Sequence, residues 1–186
     1  VEAMLIDSPA KLLVSYFSES NDSRKIYLVS GISGVGKTLW CMKLFYEARS
    51  MNLDVKGVVS IPVFEEETKN GINLQDLESG LFKPLGYKSK INENSIPVGE
   101  WQLDEETIQW GNDILEKIRS CQILIIDELG PLEFIEKGGL SKSFDTLETC
   151  QFNLAFVVVR PSLIPQAQTK WPSAEVLYVP ESELSA

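Results

Sequence analysis

The sequence contains no histidine, which removes Ser-His-Asp hydrolase triads, histidine zinc sites and imidazole general bases from the chemistry this chain performs by itself. Proton transfer and anion binding fall to carboxylates, lysines and arginines. Cysteine is scarce: Cys41, Cys121 and Cys150 are widely spaced and none belongs to a CxxC pair. The expected setting is a reducing cytosol with buried structural thiols, not a disulfide frame or a metal knuckle. Basic residues are also few, 17 Lys plus Arg against 27 Asp plus Glu for a formal net charge of -10, so the broad cationic face that nucleic-acid phosphates require is not expected. Apolar runs such as Ile123 to Ile126 and Leu154 to Val159 are too short to cross a bilayer, and no secretory pattern precedes the first charges. The expectation is a cytoplasmic protein with no nucleic-acid or membrane partner, and no feature names a protein partner. Val1, not Met, opens the sequence, as expected of a chain trimmed or excised from something longer.

What is present is a core: 186 residues at 44% hydrophobic suffice for one domain. Residues 1 to 25 carry a short apolar pattern with Pro9 where a helix can begin, and read as an N-terminal extension. "IYLVS", Ile26 to Ser30, suits a buried strand, and Lys37 to Arg49 shows helical spacing. Val55 to Phe64 reads as a second strand, with Pro62 limiting its centre or placing that end at an edge. Between about 64 and 100 the pattern changes to short alternations, and "KNG" is a hairpin signal, so an antiparallel β insertion is expected. "KSKINENS" reads as an exposed loop. A helix follows from Asp104, its N-cap, to Arg119. The strand "CQILIIDELG", a helix from about Ser141 to Cys150, the strand "LAFVVV", a short helix near Leu163 to Lys170 and the strand "EVLYV" complete the chain. Strands alternating with helices predict an α/β fold, a mostly parallel sheet with helices on both faces.

The chemistry is concentrated at "GISGVGKT". Gly31 to Thr38 satisfies G-x-x-x-x-G-K-[ST], the P-loop pattern, in the strand-to-helix context that the pattern requires. Glycines let the backbone turn its amides inward and allow an anion close approach, and the positive helix terminus adds to the same field. An acidic chain can thus hold a polyanion, a nucleoside triphosphate, by a local device. The candidate nucleotide-binding residues are Gly31, Ile32, Ser33, Gly34, Val35, Gly36, Lys37, Thr38 and Leu39. Lys37 is the candidate to reach the β and γ oxygens, and the Thr38 hydroxyl to bind Mg²⁺.

The second signal is "ILIIDE". Asp127, at the end of a core strand, is placed to hold the magnesium, and Glu128 to orient and deprotonate an attacking water. An adjacent acid pair favours the P-loop class that hydrolyses with a strand-end glutamate and inserts a further strand between the P-loop strand and the Asp strand. "LAFVVV" is the candidate for that strand. Its end delivers Arg160 beside the γ-phosphate, either as a sensor or cis arginine finger, or as an ordinary strand-end arginine paired with a surface acid.

"DELGPLE", Asp127 to Glu133, together with "GISGVGKT", "KGVVS" and "VGEWQL", resembles the small nucleoside-triphosphatases first described from thermophiles, also called cancer-related nucleoside-triphosphatases. The likeness runs from about Ile26 to Val179. It implies a P-loop nucleoside-triphosphatase domain over 26 to 186, with Lys37, Thr38, Asp127 and Glu128 in the roles above, Glu133 as a supporting acid, and activity on several nucleoside triphosphates. The family often carries an arginine in the acidic turn after its second strand, where this chain offers only Lys69. Trp101, Trp110 and Trp171 are candidates to stack on a base, each set against a plain core role.

The reaction expected is Mg²⁺-dependent hydrolysis of nucleoside triphosphates to diphosphate and phosphate. A nucleoside or nucleotide kinase would use the same cradle but generally needs an arginine-bearing lid, and the segment between Phe64 and Gly99 carries lysines only. A nucleotide-dependent switch, using Lys88 to Ser95 and the N-terminal extension, is the alternative of another class.

Overall fold

The computed structural model describes residues 4–5, 8–18, 23–88 and 94–180. The elements in chain order are β1 (Met4–Leu5), α1 (Pro9–Ser18), β2 (Lys25–Ser30), α2 (Lys37–Ser50), β3 (Val55–Glu65), β4 (Thr68–Asp76), β5 (Phe82–Tyr87), β6 (Ser95–Val98) and β7 (Trp101–Asp104). They continue with α3 (Glu105–Lys117), β8 (Ile123–Leu129), α4 (Pro131–Phe134), α5 (Lys142–Thr149), β9 (Leu154–Val159), a 3-10 turn at Pro161–Leu163, α6 (Ile164–Lys170) and β10 (Glu175–Tyr178). Most of the expected loop at "KSKINENS" lies outside the described residues.

One mixed sheet carries all ten strands, in the order β1-β10-β2-β9-β8-β3-β4-β5-β7-β6. The six strands from β1 to β3 in that order are parallel; from β3 to β6 the pairings are antiparallel. Helices cover both faces. On one, α1 and α2 bury Leu13, Tyr16, Trp40, Cys41, Leu44 and Ala48 against Val29, Val55, Ile125 and Phe156. On the other, Ile108 and Leu115 of α3, Leu147 of α5 and Ala167 of α6 pack on Leu28, Val58, Leu124, Ile126 and Val157. β9 sits in the centre, with neighbours on both sides and cover on both faces, so all six of its residues are apolar and fully buried, as a central parallel strand demands. The three cysteines are buried free thiols.

α3 begins as expected: the Thr107 amide donates to Asp104 Oδ1 at 2.7 Å, a cap that stabilises a helix by about 1 kcal/mol. The insertion differs from expectation in two ways. Its strands extend the main sheet, and "KNG" lies within β4, not at a turn. The turn is Glu66–Glu67, both left-handed at φ 46° and 66°, the backbone of a type I′ hairpin without its usual Asn-Gly.

β3 pairs with β8 only through Val55–Val58 against Ile123–Ile126. Beyond that register β3 continues to Glu65 with β4 alone as partner, so the hairpin runs on past the last β3–β8 pairing by about 20 Å at the usual strand rise. Pro62 falls in this overhang, where one side of β3 has no neighbour and a missing N–H is tolerated.

Candidate active site

The parallel strands β2, β9 and β8 end at the same edge, and each releases a candidate residue there. β9 lies between β2 and β8, the strand order expected from the acid pair. Two hydroxyls bind these ends together. Ser30 Oγ donates to the Val159 carbonyl at 2.9 Å, joining the strand that feeds the P-loop to the strand that delivers Arg160. Ser60 Oγ donates to the Asp127 carbonyl at 2.7 Å, joining β3 to the acid pair. Neither serine was singled out in the sequence; the signal available was a hydroxyl closing, or interrupting, an otherwise apolar strand.

The loop between β2 and α2 has the backbone that its glycines imply. Gly31 has φ +149°, and a Cβ there would lie 2.9 Å from both the Val179 carbonyl oxygen and Val35 Cγ1. Gly36, at φ +98°, precedes α2, whose first turn has no side-chain cap. The leading amides of α2 are thus left to an external acceptor, the arrangement that suits a phosphate. Lys37 is 8% exposed, and its ammonium bridges the loop, donating to the carbonyls of Gly31 at 2.9 Å and Ile32 at 2.8 Å. Ile32 and Leu39 are exposed, at the outer lip.

On β8 the two acids sit in a β-bulge. Ile126 to Leu129 spans three steps against two from Val157 to Val159 on β9. Bulges re-aim side chains, and here consecutive residues take up different work. Asp127 is 1% exposed. Burial pushes its pKa up to about 7, with the Glu128 charge adding to the rise, while hydrogen bonding to the Thr38 side chain and to Ser60, and the Lys37 charge, oppose it. Its Oδ2 is buried with no hydrogen-bond partner. An orphaned carboxylate oxygen beside a threonine hydroxyl is a hard-oxygen pair of the kind Mg²⁺ takes from a protein while drawing its other ligands from phosphate and water. Among the described residues there is no cluster of three or more His, Cys, Asp or Glu able to form an all-protein metal cage. Glu128 is one-third exposed and accepts from Arg160 Nε at 2.7 Å, so the residue after β9 meets the acid after Asp127.

Glu133 works through the backbone of the segment that follows the acid pair. Its carboxylate is buried and accepts from the Gly130 amide at 2.7 Å and the Leu140 amide at 2.9 Å. It ties the segment after the acid pair to itself. Burial pushes its pKa up and those amides pull it down. Trp171 is buried and stacks on Phe144 at 5.7 Å between centroids, which removes it as a base platform. Trp110 packs partly buried against the α3 face of the core. Trp101, on β7, faces the ammonium groups of Lys69 and Lys88.

A family model described as NTPase matches residues 26–170. Among curated proteins, the chain is 25% identical over 124 residues to nucleoside-triphosphatase THEP1 of Caldivirga maquilingensis, covering 67% of this chain and 69% of that one. It is 33% identical over 106 residues to nucleoside-triphosphatase THEP1 of Pyrobaculum aerophilum, covering 57% of this chain and 58% of that one. Among solved structures, a human cancer-related nucleoside triphosphatase superimposes with a TM-score of 0.66 at 20% identity, over 86% of this chain and 90% of that one. That last likeness is one of fold. No helix among the described residues is long and apolar enough to cross a membrane.

Proposed function

The chain belongs to the NTPase family and is a nucleoside-triphosphatase, and from that premise we propose that it hydrolyses several nucleoside triphosphates, ATP and GTP among them, to diphosphate and phosphate with Mg²⁺. The observation that carries this reading is the arrangement across β9: a phosphate cradle on one side and, on the other, Asp127 beside a Glu128 that is paired with Arg160.

In this reading Gly31 to Leu39 wraps the triphosphate. The α2 amides face its β-phosphate, and Lys37 exchanges its bonds to Gly31 and Ile32 for phosphate oxygens. Thr38 and Asp127 would hold the magnesium, which would supply charge neutralisation of the triphosphate. Glu128 orients a water in line with the γ-phosphorus and takes its proton as the new P–O bond forms and the bond to the β–γ bridging oxygen breaks. Arg160 leaves Glu128 to meet charge developing on the transferred group. The same reading takes the protein as cytoplasmic, without nucleic-acid or membrane partners. The domain spans 26 to 186 with its insertion at about 64 to 100, and residues 1 to 25 extend it, adding β1 to its sheet and α1 to its core.

Phosphate release from ATP, GTP, CTP and UTP with Mg²⁺ tests the proposal. Wild type is expected to release phosphate from several of them, and Lys37→Ala and Glu128→Gln to lose the activity. Tight binding without release by wild type would overturn it in favour of phosphoryl transfer to an acceptor or a partner-activated switch.

A further inference from the structure

The overhanging hairpin carries a cation beyond the strand end at which the acid pair lies. β3 runs on past its last pairing with β8, the chain reverses at Glu66–Glu67, and Lys69 returns opposite Phe64. From there the Lys69 ammonium lies 4.9 Å from the centroid of the Trp101 ring. The same ring receives Lys88 Nζ at 5.3 Å, but Lys88 is already bound to Glu100 at 3.2 Å. Lys69 forms no ion pair among the described residues. Burial lowers its pKa, the charges of Glu128, Asp127 and Glu100 counteract this, and Lys88 adds to the lowering. It is a partly dehydrated ammonium on an aromatic face, within the field of the candidate base.

We propose that Lys69 is a third phosphate-binding cation of this site, carried over the acid pair by the β3–β4 hairpin, seated on Trp101, and directed at the terminal phosphate of a nucleoside triphosphate. This rests on the reading of the site as a triphosphate hydrolase. The charge balance calls for such a group. The chain is acidic at -10, and the terminal phosphate must approach two adjacent carboxylates. Lys37 enters from the P-loop side and Arg160 is paired with Glu128, so both arrive from the parallel part of the sheet. Lys69 arrives from the antiparallel part. An ammonium in water is strongly hydrated; one already held by a π face and by burial gives up less on meeting phosphate, which is the advantage of preorganisation. Trp101 accordingly acts as a positioning residue for the lysine, not as a platform for the base.

The consequence is discrimination between triphosphate and diphosphate, since only the former presents a phosphate to the hairpin. Equilibrium titration with a non-hydrolysable triphosphate analogue and with the diphosphate, both with Mg²⁺, reads this directly. Lys69→Met, which keeps the stem over Trp101 and removes the charge, is expected to weaken the analogue about tenfold and the diphosphate less than about twofold, with Lys69→Gln behaving alike. Lys69→Arg should restore the preference, and Trp101→Leu should lose part of it with the same selectivity. Equal losses for both nucleotides, or an unchanged ratio in Lys69→Met, would overturn the proposal, as would failure of Lys69→Arg to restore it. The two readings fail separately: a wild type that binds the analogue but releases no phosphate ends the hydrolase reading, while the affinity ratio still decides the role of Lys69.

Discussion

Arg160 Nε donates to Glu128 Oε1 across 2.7 Å, linking the residue that follows β9 to the second acid of β8. Both side chains are partly solvated, Arg160 at 51% and Glu128 at 33%, so the pair itself adds less than about 1 kcal/mol to stability. Its interest is that, while it holds, it occupies an oxygen of the candidate base and fixes the guanidinium beside it. Arg160→Ala is expected to leave thermal unfolding almost unchanged and to lower kcat by about a thousandfold or more, within the range known for arginine fingers. A plain strand-end arginine would leave kcat where it was. Phosphate release and a melting curve on the same preparation decide between them.

Lys37→Met should abolish nucleotide-dependent stabilisation. At a ligand concentration a hundred times Kd, binding stabilises the native state by about 2.7 kcal/mol, a readily measured rise in Tm for wild type. The variant keeps the aliphatic stem in its buried position but loses the ammonium that serves the Gly31 and Ile32 carbonyls. The rise in Tm should vanish with Mg²⁺ and triphosphate present. A full shift in Lys37→Met would mean the loop does not use this lysine for phosphate.

Asp127 gives the site a pH dependence of definite sign. Its folded pKa is raised from 3.8 to about 7, chiefly by burial, so the folded state holds this proton more tightly than the unfolded one. The metal-free protein should therefore lose stability from this group as pH rises from about 4 through about 7. Metal binding runs the other way, because the ion needs the carboxylate: Mg²⁺-dependent activity and the stabilisation by Mg²⁺ should both increase through the same window. Urea unfolding with chelator and with Mg²⁺ at several pH values shows both slopes, and Asp127→Asn should flatten them.

Glu133 separates structural support from catalysis. Glu133→Ala leaves the amides of Gly130 and Leu140 without their acceptor, at about 1 to 3 kcal/mol each, and Glu133→Gln should cost less. Below both unfolding midpoints, kcat per folded molecule should stay within a few-fold of wild type. A loss of kcat on the scale expected for Glu128→Gln would make Glu133 a direct participant.

The parts of the site visible in the sequence are those set by local backbone chemistry. Gly31 to Thr38 must turn with its amides inward whatever surrounds it, and an apolar run that closes on Asp127 and Glu128 marks a strand end. The position of β9 was legible because an adjacent acid pair marks the P-loop class with a strand inserted between cradle and acids, and "LAFVVV" is apolar throughout, as a strand covered on both faces demands. Features that depend on partners distant in sequence were not legible. Nothing near Glu133 indicates that Leu140 will return to its carboxylate, and nothing near Ser30 indicates the Val159 carbonyl. The hairpin at Glu66–Glu67 was misplaced because "KNG" carries the usual local signal, whereas the pairing of β3 with β4, with its bulge between Val63 and Phe64, fixes the turn three residues earlier. Lys69 was legible as a residue but not as a neighbour of the acids, since its place depends on how far β3 outruns β8.

The strand inserted between cradle and acids acts as a ruler. Because β2, β9 and β8 are held by main-chain hydrogen bonds, the separation of the P-loop strand from the acid strand is two strand spacings, about 9.6 Å, and no side-chain substitution alters it. In the proposed reading, the span offered to the phosphates between Lys37 and Glu128 is therefore set by backbone geometry. Changing which base or sugar is accepted is a matter of loops and side chains. Lengthening or shortening that span would require moving a strand.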